Sequence, residues 1–315
     1  MAIFKKETKL SLKHILTVFT LLLFFDAYAQ LPSDHLFRSG YYYLNVDAEK
    51  SIDYLSQAIE RDSSRAKYYY FRGIARFKRG EYNQSIQDFE IANSRDTFLT
   101  VTYMYKGMAY KNLGEYDKAT LNINEYIQKN KIDNSGYAHL MRGRAKMAAG
   151  DLEGAINDFT FLAESFPEDE SNSYYRLIAL QQAGENKDAL EEVNKLLELN
   201  PEFYGYYFFR ASIYMELGQF TMAMNDYTLS LNYNENNADA YFQRGVVLDT
   251  LKRYDGAIVN YTTAIRLNAT DGVYYSRRGN SRYTVGNRDG ACLDWTIAGN
   301  LGYYENFEKV KRLCD

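Results

Sequence analysis

The sequence predicts an all-α protein built from stacked pairs of antiparallel helices, and three observations carry that expectation. The stretch YYYFRG at residues 68–73 returns in altered form as AHLMRG at 138–143, YYFFRA at 206–211, AYFQRG at 240–245 and YYSRRG at 274–279. Its last residue recurs at Gly40, Gly73, Gly107, Gly143, Leu177, Ala211, Gly245 and Gly279, in steps of 33, 34, 36, 34, 34, 34 and 34. A fixed period in this range marks an array of small units in which each repeat buries its apolar face against its neighbours. The chain has only three prolines in 315 residues, 46% hydrophobic and 25% charged residues, the balance of an ordered helical chain.

The N-terminus reads differently from the rest. Lys5, Lys6, Lys9 and Lys13 precede the apolar run Ile15 to Phe25, and Ala27-Tyr28-Ala29 stands before Gln30. A basic region, a short apolar core and a small-x-small site form the pattern of a secretory signal peptide over residues 1–29. The apolar core falls short of the ~20 residues a membrane span needs. Cleavage before Gln30 leaves 286 residues with 33 basic against 39 acidic side chains, and no integral membrane span is expected in the mature chain. A net charge of −6 lacks the basic face of a nucleic-acid binder, so no nucleic acid is expected as a partner.

With the recurring small residue called position 8, each repeat has a packing logic. Glycines at position 15 (Gly80, Gly114, Gly150, Gly184, Gly218 and Gly286) end a first helix in a left-handed turn. Small residues at position 20, such as Ala119, Ala155 and Ala257, let a second helix approach the first. Large residues at position 24, including Phe89, Ile123, Phe159, Tyr227, Tyr261 and Trp295, fill the space beside that contact. Leu177 breaks the small-residue rule, and the segment KNKIDNSG at 129–136 stretches the third unit.

In these positions the chain resembles the tetratricopeptide repeat family. The units run over about 32–64, 66–99, 100–135, 136–169, 170–203, 204–237, 238–271 and 272–302, followed by a C-terminal capping helix at 303–315. The resemblance implies a right-handed α–α superhelix of about eight helix-turn-helix repeats. It also implies that positions 5, 9 and 12 of the first helix face a concave ligand groove. Here that stripe offers Tyr70, Ile74 and Phe77; Met104 and Met108; Leu140, Arg144 and Met147; Tyr174 and Ile178; Phe208 and Met215; and Phe242 and Val246. So apolar and methionine-rich a stripe suits the hydrophobic face of a protein or peptide partner. The aromatic members would also suit stacking on sugar rings, and self-association of the array is a further expectation. Members of the family that clamp chain-end carboxylates carry Lys and Asn at positions 5 and 9; here position 5 is never basic and position 9 is Asn only at Asn280.

The arginine of YYYFRG sits at position 7, and sixteen residues later an acid stands on the second helix. The expected pairs are Arg72 with Asp88, Arg142 with Asp158, Arg176 with Glu192, Arg210 with Asp226 and Arg278 with Asp294. Each would tie the two helices of a repeat through the planar guanidinium fork. Two repeats depart from this rule, with Asn122 opposite Lys106 and Asn260 opposite Arg244. The tyrosines at position 4, among them Tyr69, Tyr207 and Tyr275, read as core packing by helical phase.

Catalytic patterns are missing. The three histidines, His14, His35 and His139, lie far apart without ligand spacing, and no phosphate loop, G-x-S-x-G or H-E-x-x-H occurs. No enzyme activity, metal or cofactor is expected. Cys292 and Cys314, the two cysteines, are expected to form a disulfide in an exporting compartment. That bond would pin a final helix whose Tyr303, Phe307, Val310 and Leu313 cover the open end of the eighth repeat. The whole reads as an exported, periplasmic or secreted adaptor without catalytic function.

Overall fold

Three of the second helices start where a polar side chain meets the unpaired N–H groups of the first turn. Asp47, Asp151 and Asn287 accept hydrogen bonds from the backbone N–H of Lys50, Gly154 and Gly290. Most first helices stop at a residue with positive φ at position 15: Gly80, Gly114, Gly150, Gly184, Gly218 and Gly286 lie between 71° and 86°. In the seventh repeat Lys252 takes that place with φ 59°, a conformation that disfavours any side chain with a Cβ.

The computed structural model describes residues 32–131 and 136–314. The segment 1–29, expected as an export signal, lies outside the described residues. Seventeen helices form among them. They are α1 (Ser33–Tyr43), α2 (Ala48–Arg61), α3 (Ala66–Lys78), α4 (Tyr82–Arg95), α5 (Val101–Asn112), α6 (Tyr116–Lys129), α7 (Tyr137–Ala149), α8 (Leu152–Ser165), α9 (Glu170–Ala183), α10 (Asn186–Leu199), α11 (Tyr204–Glu216), α12 (Phe220–Tyr233), α13 (Ala238–Thr250), α14 (Tyr254–Leu267), α15 (Gly272–Thr284), α16 (Arg288–Asn300) and α17 (Glu305–Leu313). Odd numbers up to α15 are first helices, even numbers are second helices, and α17 follows the last pair. The fold is all-α, and no strand occurs among the described residues.

The chain divides into two units after Ala149. In the first, α1 to α7 pack each on the next, and α3 also touches α5 as α5 touches α7. Its core includes Leu44, Ile74, Ala75 and Phe89, then Met104, Ile123 and Ala138. In the second, α8 to α17 pack in the same succession, around Leu177, Leu180, Val193, Leu196 and Ile213, then Ala211, Ala223, Tyr227 and Val247. No described helix is long and apolar enough to cross a membrane.

The close approach of paired helices explains the glycines at position 8. A Cβ added at Gly73 would lie 2.7 Å from the ring of Phe89, and one at Gly279 would lie 2.8 Å from Trp295. Both partners are the large residues at position 24. Leu177, the exception, faces Val193 in the same cluster, so a larger residue on α9 meets a smaller one on α10. That pair also packs less closely than the others of its unit.

Candidate protein-interaction surface

The arginines at position 7 are positioned by rigid helix pairs, and the structure gives them more partners than one acid each. Arg72 donates through Nη2 and Nε to Asp88 at 2.7 and 3.0 Å, Arg210 through Nε and Nη2 to Asp226 at 2.7 and 2.9 Å, and Arg278 through Nη2 and Nε to Asp294 at 2.7 and 2.9 Å. Arg176 reaches Glu192 through Nη1 at 2.7 Å. All four acids are buried. Arg76 and Arg282, four residues further along the first helix, add second cations to Asp88 and Asp294 at 2.8 and 2.9 Å. Arg142 and Asp158 belong to different units, and Arg142 donates through Nη1 to Asn124 at 2.7 Å.

Sequence reasoning missed the other half of this device. In four of the forks Nη1 turns to the second helix of the preceding repeat: Arg72 to Ser56 at 3.2 Å, Arg210 to Asn194 at 2.8 Å, Arg244 to Thr228 and Arg278 to Thr262, both at 3.1 Å. The guanidinium is thus a bolt through three helices. The signal was present as a polar residue sixteen positions before each of these arginines. The position 4 tyrosines form its lower plate: Arg72 lies over Tyr69, Arg210 over Tyr207, Arg244 over Tyr241 and Arg278 over Tyr275, at 5.4 to 5.7 Å from the ring centres. A second rung joins successive first helices, where the buried hydroxyl of Tyr68 donates to Asp34 at 2.9 Å, that of Tyr274 to Asp239 at 2.5 Å and that of Tyr206 to Glu170. Burial pushes all three phenols above the usual tyrosine range.

The stripe at positions 5, 9 and 12 divides between joint and surface. Ile74 and Met104 are 6% and 5% exposed, which corrects their assignment to a partner-facing groove. Ile74 packs with Leu44 and Phe89, and Met104 with Ile123 and Ala138, because a small residue at position 8 draws the second helix over them. The aromatic members pack against rings of their own repeat or of the next one. Tyr70 meets Tyr105 at 6.1 Å, Phe77 meets Tyr82 at 5.5 Å, Tyr174 meets Phe209 at 5.7 Å, Phe208 meets Tyr227 at 5.4 Å, and Phe242 stacks on Tyr274 at 4.8 Å. Burial raises the Tyr70 phenol to about 12. Rings engaged on their faces and edges by protein have less face to offer a sugar. Met108, Leu140, Met147, Ile178, Met215 and Val246 stay half-buried, while Arg144 is exposed. In the first unit the exposed Tyr137 directs its hydroxyl to the sulfur of Met108 at 3.8 Å.

Comparison with known proteins agrees with this geometry. Residues 140–201 match one model of the tetratricopeptide repeat, and residues 204–237 and 238–271 each match another. Over residues 140–201 and 204–271 the chain belongs to the tetratricopeptide repeat family. A tetratricopeptide repeat protein of Parabacteroides merdae is 18% identical over 79% of this chain and 98% of its own, with a TM-score of 0.53. The C-terminal part of a repeat-containing protein from Cytophaga hutchinsonii is 16% identical over 75% and 95%, with a TM-score of 0.61. A chain of the structure of Naa15/Naa10 bound to HypK-THB is 12% identical over 85% of this chain and 42% of its own, with a TM-score of 0.53. At such identities these structures speak for the fold alone. No curated protein sequence matches.

Tetratricopeptide arrays serve in general as scaffolds for protein–protein interaction, and this array carries the repeat machinery of one. Its last repeat is closed in an unexpected way. The apolar residues expected to cover the end are only partly withdrawn from water: Phe307 is 40% and Tyr303 36% exposed, although their rings lie over Gly299 and Gly272. The buried residue of α17 is Asn306. Its Oδ1 accepts from Ser276 at 2.9 Å and from Lys309 Nζ at 3.3 Å, and its Nδ2 donates to the carbonyl of Tyr303 at 2.9 Å. Lys309 also donates to Asn280 at 3.1 Å. The cap therefore docks through a polar network on positions 5 and 9 of the eighth repeat. Cys292 of α16 is joined to Cys314, with Cα atoms 5.8 Å apart. Among the described residues no three His, Cys, Asp or Glu side chains converge to hold a metal.

Proposed function

We propose that this protein is an exported, non-catalytic scaffold that seats a protein or peptide partner against the half-buried apolar stripe of its first helices. One observation carries the reading. Once Ile74, Met104 and the joint-filling rings are set aside, Met108, Leu140 and Met147 in the first unit still keep part of their surface in contact with solvent. Methionine adapts its shape to a partner's apolar side chains, and binding would remove that surface from water. The basic and apolar leader over residues 1–29 supports export, and a Cys292–Cys314 bond suits the oxidising compartment to which such a leader directs a chain.

The test is a pair of variants in the first unit. Met108→Glu with Met147→Glu is expected to abolish recovery of the wild-type partner from cell-envelope extracts after in-cell crosslinking, with helical circular dichroism unchanged. Unchanged recovery would defeat the reading, and collapse of the helical signal would place both residues in the core. Sedimentation at varied concentration separates a distinct partner from a second copy of the chain.

A further inference from the structure

We propose that Arg244 anchors a carboxylate-binding site in the second unit, between the C-terminal end of α12 and the first helix α13. The argument compares repeats within this one chain. Arg72, Arg210 and Arg278 spend Nε and Nη2 on both oxygens of a buried aspartate and Nη1 on the preceding second helix. Arg244 keeps the same place, the same tyrosine beneath it and the same preceding-helix partner in Thr228, but its acid is replaced by Asn260. Asn260 Oδ1 takes the Nε–H at 2.8 Å, and its Nδ2 is turned away to the carbonyl of Gly256 at 2.8 Å. Among the described residues, the Nη2 that meets a carboxylate oxygen in the sibling repeats has no acceptor here, and no acid pairs with this guanidinium.

The third repeat shows what full loss of the pair looks like. There arginine and acid changed together, to Lys106 and Asn122, and Lys106 leans to Glu90 of the preceding second helix at 3.9 Å. In the seventh repeat only the counter-charge is gone. The remaining cation opens into a depression lined by Leu231, Asn232, Tyr233, Glu235, Tyr241 and Arg244. Burial holds the Arg244 guanidinium below the usual arginine range, the mark of a charge that lacks compensation. A carboxylate entering from solvent restores the arrangement that the neighbouring repeats build internally, with a charge-assisted bond to Nη2. The ligand class is a carboxylate carried by a protein side chain or chain end. The exposed Glu235 in the same lining repels an entering anion the more strongly the greater its charge, so a singly charged carboxylate is favoured over a phosphate. The site uses position 7 and no residue of the half-buried stripe, so it stands or falls separately from the proposed partner groove.

The experiment uses the mature chain with 15N-labelled arginine, the Nε–H resonance of Arg244 being assigned with Arg244→Lys. Sodium acetate is expected to shift that resonance saturably relative to sodium chloride at equal ionic strength, while Arg210 and Arg278 stay silent. Asn260→Asp supplies an internal carboxylate, so it should weaken the acetate response about tenfold or more, the loss of one charge-assisted hydrogen bond, and raise the thermal midpoint. A peptide ending in glutamate should compete with acetate better than its amidated, glutamine-bearing counterpart. Equal effects of acetate and chloride at Arg244, a parallel shift at Arg210, or an undiminished response in Asn260→Asp would each overturn the proposal.

Discussion

Arg210 shows how much one side chain can hold together. It joins α11 to Asp226 on α12 and to Asn194 on α10, over the ring of Tyr207. Its removal leaves a buried carboxylate without its cation, a larger cost than the loss of an exposed pair. Arg210→Ala is expected to lower stability by about 1–3 kcal/mol, and adding Asp226→Ala should recover part of it. Strictly additive losses in the denaturation cycle would show that the two side chains do not interact. Arg210→Lys separates charge from geometry. A single ammonium cannot span Asp226 and Asn194 as the planar fork does, so this variant should remain destabilised.

At the scale of the helix, two features mark where the repeat pattern is strained or closed. Lys252 ends α13 in a left-handed conformation that six glycines adopt elsewhere in the chain. Lys252→Gly should therefore stabilise the protein by about 1 kcal/mol, the backbone penalty of a Cβ there offset in part by the greater freedom of glycine when unfolded. Chemical denaturation measures it, and a loss of stability would mean that the lysine side chain contributes contacts of its own. The cap α17 is a nine-residue helix with one buried side chain, too short to persist alone. Its attachment rests on Asn306 and on the link between residues 292 and 314. Replacing both cysteines with serine should cost about 3 kcal/mol for a closed loop of this length and free the cap before the rest of the array melts. Alkylation of the unreduced, denatured mature protein followed by mass spectrometry checks the bond itself, and two labelled thiols would refute it.

Across the whole molecule the dominant chemical signature is tyrosine, with 31 residues. Burial raises the phenols of Tyr68, Tyr70, Tyr105, Tyr110, Tyr206, Tyr207, Tyr227, Tyr261 and Tyr274. In the unfolded chain they ionise near pH ~10. A raised folded value means that their contribution is complete below that pH and is lost as the pH climbs toward the folded values, about 12 for Tyr70. Each well-buried phenol can remove up to about 1.4 kcal/mol per pH unit in that window, and half-exposed ones less. Alkaline titration should show helical circular dichroism and phenolate absorbance changing together above pH ~10. Phenols ionising in full while the helices persist would contradict it.

The sequence by itself determined the repeat. Its period, the small residues at position 8, the glycines at position 15 and the large residues at position 24 are local requirements of a helix pair, and each is satisfied by a residue type that can be read directly. The acid partners of the arginines were legible for the same reason, since a sixteen-residue spacing repeats within each hairpin. Only the tertiary structure decided which apolar residues were surface. Ile74 and Met104 share a helical stripe with Met108 and Met147, and their burial depends on how closely the neighbouring helices approach, which the stripe does not encode. It also decided that most of the arginine forks bolt their repeat to the one before, and that Asn306 rather than an apolar side chain anchors the cap. Those contacts join residues of different helices or repeats, where phase within one helix gives no distance. The missing counter-charge at Arg244 belongs to both levels: the asparagine is visible in the sequence, and the empty donor beside it is a property of the packed helices.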